Sequence, residues 1–353
     1  MAQKPTKAKK RIIWLVCILL ALFVVLPSIG TVIAYECIFG MRYETESWRK
    51  FTEADYEGLM MQRSDFDSEG VNIAGYKYYR DGIQPKGVVV IAHGLGCGGH
   101  NVFMPFIDTF VSNDYYVFSY DVHGNGESGG KSVEGLPRGL IDLDHAISHA
   151  ETVEEYAGLP MMLFGHSWGA YSGANVLSLH PEIDGAVIIA GMNESEDMLL
   201  HYGKQYTGPM APLMLPYLEL YETIKFGRKY TETSGIEGMA QTDARIMIVH
   251  SADDDTVPIE YGYDTYFEAY GDDERFEFVR YENRGHADLF YSRDAMAYRA
   301  EFMEGYNEYF ASSGIEETEE SREAYLLENL DKTRAYEPDG ELMEKILAMF
   351  EEC

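Results

Sequence analysis

The stretch that most constrains this chain is Met161-Met162-Leu163-Phe164-Gly165-His166-Ser167-Trp168-Gly169-Ala170: an apolar strand-like run, a Gly-x-Ser-x-Gly turn, then a helix-compatible run. A serine on so sharp a strand-to-helix turn has strained backbone angles and crowded neighbours, so small residues must flank it. The spacing predicts that Ser167 projects its hydroxyl above a sheet, at the positive end of the following helix. A mere surface turn rich in Gly and Ser is the plainer alternative, and the partners found downstream argue against it.

The surroundings of that turn are consistent with it. Short apolar runs at 87–92, 115–120, 161–164, 185–190, 245–250 and 276–281 alternate with longer helical segments. Such alternation predicts the α/β class, with a mostly parallel central sheet and helices on both faces. The unbroken apolar runs 88–91 and 186–189 suit central strands buried on both sides. Ahead of them, strand-like stretches at 61–67 and 71–80, broken by Ser68-Glu69-Gly70, read as a hairpin. Residues 35–60 read as an exposed amphipathic connector, and 61–313 as the main domain. Within it the alternation lapses over about 192–243, which is rich in Met, Tyr, Leu and Pro. A structureless loop of that length is implausible in a compact domain, so a helical lid is expected there, its apolar residues lining a pocket or packing on the core. The segment 314–353 is acidic, yet Leu326, Leu327 and Leu330, then Leu342, Ile346, Leu347 and Phe350, recur at helical spacing. Two docking helices are expected.

Near the N-terminus, 23 residues from Ile12 to Ala34 carry no charge. At about 1.5 Å per residue they can cross a hydrocarbon core of about 30 Å, so a transmembrane helix is expected. Lys4, Lys7, Lys9, Lys10 and Arg11 precede the run and Glu36 follows it. By the positive-inside rule, residues 1–11 form a basic cytoplasmic N-terminus and the main domain lies across the membrane. A cleavable signal with Val32 and Ala34 before the cut, leaving a secreted protein, is the competing reading; the apolar run exceeds the usual length for one.

The net charge of −31 repels phosphate backbones, which argues against nucleic-acid partners. With a hydrophobic fraction of 46%, rich in Tyr and Phe, the chain can still bury a large core. The four cysteines, Cys17, Cys37, Cys97 and Cys353, show neither paired spacing nor a grouping with histidine, so no metal site is expected.

A serine hydroxyl is a weak nucleophile and needs a positioned base, itself oriented by a carboxylate. After the 245–250 run comes Ser251-Ala252-Asp253-Asp254-Asp255-Thr256-Val257-Pro258, and after 276–281 comes Glu282-Asn283-Arg284-Gly285-His286-Ala287-Asp288. His286 supplies the base, and the acid is one of Asp253, Asp254 and Asp255. Two backbone N–H donors are needed for the oxyanion, and Trp168 and Leu95, the latter in His93-Gly94-Leu95-Gly96, occupy the right places. Cys97 is set aside as nucleophile because no base is evident beside it.

These loops, together with Asp121-Val122-His123-Gly124-Asn125-Gly126-Glu127-Ser128, resemble the α/β-hydrolase superfamily, and within it the monoacylglycerol-lipase-like and serine-aminopeptidase-like hydrolases, over about 61–312. The resemblance implies the α/β-hydrolase fold and selects Asp254, four residues before Pro258. It implies a structural role for the 121–128 turn, with His123 in packing or at the surface. It also implies hydrolysis of an ester or amide through an acyl-enzyme, without metal or organic cofactor. Expected substrates are small acyl esters such as acylglycerols or lysophospholipids. The alternative is short peptides, whose amine Glu194, Glu196 or Asp197 could bind; a non-catalytic binding protein is a third reading. Asn193-Glu194-Ser195 matches a glycosylation sequon, a pattern too short to carry weight.

Overall fold

The computed structural model describes residues 6–353; Met1 to Pro5, with Lys4 of the basic segment, lie outside them. A long helix α1 (Lys7–Phe39) opens the chain, with a π-helical turn at Ala21–Val25. An eight-stranded sheet follows in the order β1-β4-β6-β5-β7-β8-β9-β10. Its strands are β1 (Met60–Arg63), β4 (Gly75–Tyr79), β5 (Gly87–Ala92), β6 (Tyr115–Tyr120), β7 (Met161–His166), β8 (Gly185–Ile189), β9 (Arg245–Ser251) and β10 (Phe276–Tyr281). From β6 to β10 every pairing is parallel, while β1 and β4 join antiparallel at one edge. The strand-like runs of the sequence fall on these strands to within two residues. The expected hairpin is longer and nested: Phe66–Ser68 (β2) pairs with Val71–Ile73 (β3) at its tip, and β1 pairs with β4 at its base.

Period-two alternation splits the core into two layers, as a sheet covered on both faces requires. Val88 and Val90 face one layer, Val89 and Ile91 the other. Against the first pack the helices α3 (Leu136–Ala150) and α4 (Trp168–Val176). Against the second pack α2 (Met104–Ser112) and α10 (Gly340–Phe350), which buries Leu342, Met343, Ile346, Met349 and Phe350. Thus one of the two expected acidic-tail helices docks with a full apolar face. The other, α9 (Glu319–Asn329), buries no residue completely, and Leu327 is exposed. Its contact is instead aromatic, Tyr325 packing in tilted and edge-on pairs with Phe302, Tyr306 and Tyr309 of α8 (Arg293–Ser312).

The segment 192–243 is helical, as expected, with α5 (Ser195–Thr207) and α6 (Ala211–Phe226) as its long members. The connector 35–60 departs from expectation. Helix α1 runs on into it, and Tyr35, Phe39, Phe51 and Leu59 are buried. Tyr35 lies in the same apolar layer as Trp168 and donates its hydroxyl to Glu222 of α6 at 2.6 Å. The reason is burial of large apolar side chains, which periodicity in so short and irregular a stretch does not announce.

Candidate active site

Every parallel strand points its carboxyl end to the same rim, where open α/β sheets place their sites. Ser167 follows β7 with φ 55° and ψ −116°, a region an L-residue adopts only when its surroundings impose it. Here they do. Ser167 N–H donates to Ile189 O at 2.8 Å, and a Cβ at Gly165 would stand 2.5 Å from Gly169 O. A Cβ at Gly169 would stand 2.0 Å from Ala92 O, so only glycine lets α4 approach β5 this closely.

The structure brings three of the predicted side chains into line. Ser167 Oγ lies 2.9 Å from His286 Nε2, and His286 Nδ1 lies 2.8 Å from Asp254 Oδ2. With Nδ1–H donating to the carboxylate, Nε2 presents its lone pair to the hydroxyl. Asp254 is buried at the end of β9, and its Oδ1 accepts the N–H groups of Thr256 and Val257, both at 2.9 Å. Burial pushes its carboxyl up, but hydrogen bonds from His250, His286 and Val257 outweigh that and hold it well below the usual carboxylate range. It is therefore ionised and oriented. The other two acids of the run are placed differently. Asp253 accepts from Ser251 Oγ at 2.6 Å and from Gly285 N–H at 2.8 Å, fastening the backbone just ahead of His286, while Asp255 is exposed. Gly285 has φ +54°, which lets the loop bend there.

Trp168 begins α4, so its N–H has no acceptor within the helix. Its indole donates to Leu136 O at 2.7 Å and the ring is buried. Leu95 N–H makes no hydrogen bond among the described residues. The two loops touch: a Cβ at Gly94 would lie 3.4 Å from His166 O, and one at Gly169 would lie 3.0 Å from His93 O. In the same loop, burial pushes the Cys97 thiol up, away from the thiolate a nucleophile needs.

Two histidines of this rim escape a reading of the sequence. His166 Nε2 lies 3.0 Å from the backbone oxygen of His286, and the two rings are 4.8 Å apart. Burial first, then the nearby His286, push its pKa down to about 3, so it is neutral and donates its one N–H to the loop that carries His286. His250 Nε2 lies 2.9 Å from Val257 O and 3.3 Å from Asp254 Oδ2. The signals were positional: His166 is the variable residue before Ser167, and His250 stands four residues before Asp254.

Other candidates fall elsewhere. Asp121 is buried and accepts from Glu127 N–H within the 121–128 turn and from His100 N–H and Tyr76 Oη outside it, so its carboxylate fastens the turn to its neighbours, and His123 is buried. Asn193 is buried, its side chain accepting from Ile236 N–H and donating to Glu194, so the sequon is engaged within the fold. Glu194 and Asp197 are half-buried at the head of α5, and burial pushes both carboxyls up, with Asp197 and Glu196 adding to the effect at Glu194. Potential metal donors of Glu151, His180 and Glu182 lie within 4.8 Å of one another, but both His180 nitrogens are engaged, with Glu182 and Asp144.

A parallel sheet that presents an elbow serine, an acid loop and a histidine loop in that chain order defines the α/β-hydrolase class. The chain has the α/β-hydrolase fold, and the family model described as serine aminopeptidase, S33, matches its residues 83–244. Among solved structures it is similar to an esterase of Pyrococcus furiosus, with 15% identity, coverage of 77% of this chain and 97% of the other, and a TM-score of 0.53. An acylaminoacyl peptidase of Pyrococcus horikoshii is 15% identical over 77% of this chain and 45% of its own, with a TM-score of 0.51. For an acetyl xylan esterase of Paenibacillus sp. R4 the figures are 15%, 72%, 84% and 0.51. These identities speak to the fold. A relative from Bacillus subtilis (strain 168), named uncharacterized protein YqkD, is 23% identical over 197 residues, which are 55% of this chain and 61% of that protein.

Proposed function

We propose that this chain is a membrane-anchored serine hydrolase that cleaves carboxylic esters through an acyl-enzyme. The observation that carries the reading is the continuous line from Ser167 Oγ through the His286 ring to an ionised Asp254. Ser167 attacks the carbonyl carbon as His286 Nε2 takes its proton, and Asp254 stabilises the imidazolium so formed. The N–H groups of Leu95 and Trp168 receive the oxyanion. His286 then protonates the leaving alcohol, and a water deprotonated by the same nitrogen releases the acid and restores Ser167.

Acylglycerols or lysophospholipids are the favoured substrate class. Helix α1 supports this, being apolar enough to hold the domain beside lipid, as does the apolar segment 192–243. The basic residues before Ile12 support a cytoplasmic N-terminus. Burial of Tyr35 and Phe39 in the main domain supports an anchor over a cleaved signal, because a cut after Ala34 would sever the helix where it docks.

A second reading, a serine-aminopeptidase-like amide hydrolase, is favoured by Glu194 and Asp197. They are half-buried acids that form no ion pair among the described residues, and they suit a substrate's ammonium. A panel of p-nitrophenyl esters against aminoacyl amides separates the two. Fluorophosphonate labelling tests the serine chemistry: the native protein should label and Ser167→Ala should not. Equal labelling of both would contradict the proposal, and a native protein that never labels would favour a binding protein.

A further inference from the structure

Helix α6 is apolar around most of its circumference, yet protein covers only one side of it. Ala211, Glu222 and Phe226 are buried against the domain. On another side Leu213, Leu220 and Ile224 form a stripe with Tyr217, at i, i+4, i+7 and i+11, and those three are 62%, 57% and 74% exposed. Glu219 of the same helix is also exposed, but the stripe itself carries no charge, and a contiguous exposed apolar stripe marks a surface that meets apolar surroundings. Leading into the stripe and through its first half, the 14 residues from Gln205 to Leu218 carry no charge, and Tyr206 and Met210 near the turn between α5 and α6 are also exposed.

What covers that stripe is indicated by its neighbour. Helix α6 lies along α1 and runs in the same direction: Tyr217 donates its hydroxyl to Phe23 O, and further on Lys225 and Tyr221 bond Glu36 and Glu222 bonds Tyr35. Phe23 stands in the middle of the uncharged run from Ile12 to Ala34, and its carbonyl lies in the π-helical turn, where the ordinary i to i+4 pattern is interrupted. From Phe23 to Ala34 is about 16 Å at 1.5 Å per residue, about half a hydrocarbon core. The exposed face of α6 is thus continuous with the exposed face of α1, on which Leu19, Leu22, Phe23, Leu26 and Ile29 are all uncovered.

We propose that the α5–α6 hairpin is itself seated in the bilayer leaflet beside the anchor, with Met210, Leu213, Leu220 and Ile224 against lipid acyl chains. This rests on the reading of α1 as a membrane anchor and extends it to the segment above the active site. Tyr202 Oη donates to Thr256 O beside Asp254, so the hairpin that meets lipid also touches the catalytic rim.

The test uses the full chain in phosphatidylcholine nanodiscs, with the four native cysteines replaced by serine and a single environment-sensitive fluorophore at one introduced site. Leu213→Cys and Ile224→Cys report on the stripe. Phe267→Cys, an exposed position on α7 (Tyr263–Tyr270), is the aqueous control, and a chain retaining only Cys17 reports on the anchor. The proposal predicts that spin-labelled lipids quench the dye at Leu213 and Ile224 as they do at Cys17, while iodide quenches only Phe267. A dye at Leu213 quenched by iodide, with Cys17 still quenched by lipid, overturns the seating of the hairpin and leaves the anchor intact. Iodide access at Cys17 overturns both. A Leu213 dye shielded from both quenchers points to a second protein surface on the stripe and overturns the proposal.

Discussion

The catalytic rim and the 192–243 insertion are built on opposite principles. At the rim the catalytic side chains are fixed by polar partners: Asp254 alone receives two backbone N–H groups and the His286 ring. On the outer side of α6 the conspicuous atoms are apolar and uncovered. Fixed charges and strained angles persist only where the surroundings determine them, whereas an uncovered apolar stripe is content only in an apolar medium. In the reading proposed above, the first arrangement does the chemistry and the second sets where it is done.

Substitutions can break this contrast. The largest effect is expected at the rim: Asp254→Asn should lower kcat by about 10⁴-fold, because the amide favours the wrong imidazole tautomer. Asp253→Asn should cost about tenfold and Asp255→Asn almost nothing, since one fastens Gly285 and the other is exposed, measured as ester turnover. Similar losses at Asp253 and Asp254 would mean that the acid is shared. Next comes His166→Phe, which keeps a ring of similar bulk and removes the donor to the His286 carbonyl. A fall in kcat of about 10- to 100-fold with little change in KM is expected, comparable to losing an outer support of a reactive group.

A smaller effect is expected where α6 meets α1. Burial pushes Glu222 up to about 7, against the lowering effect of the Tyr35 hydroxyl. A carboxyl whose folded pKa lies above its unfolded value stabilises the fold fully below about 4.5 and loses that contribution as pH rises through about 7. The native protein should therefore lose on the order of 3 kcal/mol between pH 5 and 8 from this group, and Glu222→Gln should flatten that part of the profile in thermal melts. Asp254 acts in the other direction, contributing stability above its unfolded pKa of about 3.8 that disappears only as strong acid protonates it.

Much of the sheet was legible because its strands are apolar runs between turn residues, and the boundaries of β5, β6 and β10 can be read directly. Ser167 and His286 were legible because their chemistry requires glycines beside them. Choosing among Asp253, Asp254 and Asp255 required the resemblance, since three equal carboxylates in a row differ only in which one the loop turns inward. His166, His250 and the docking of Tyr35 were not legible, because each depends on contacts between residues far apart in the chain or on backbone oxygens. The exposed stripe of α6 has the same spacing as a buried one, so only coordinates distinguish exposed from core-facing leucines.

The central claim is that Ser167 becomes acylated. Mixing the full chain with a p-nitrophenyl ester and quenching in acid within the first turnover, followed by intact and peptide mass spectrometry, tests it most directly. The account predicts a burst of nitrophenol of about one equivalent and one acyl group on the peptide containing Gly165-His166-Ser167-Trp168-Gly169. Turnover with no burst and no adduct, or an acyl group carried by a peptide without Ser167, would contradict it.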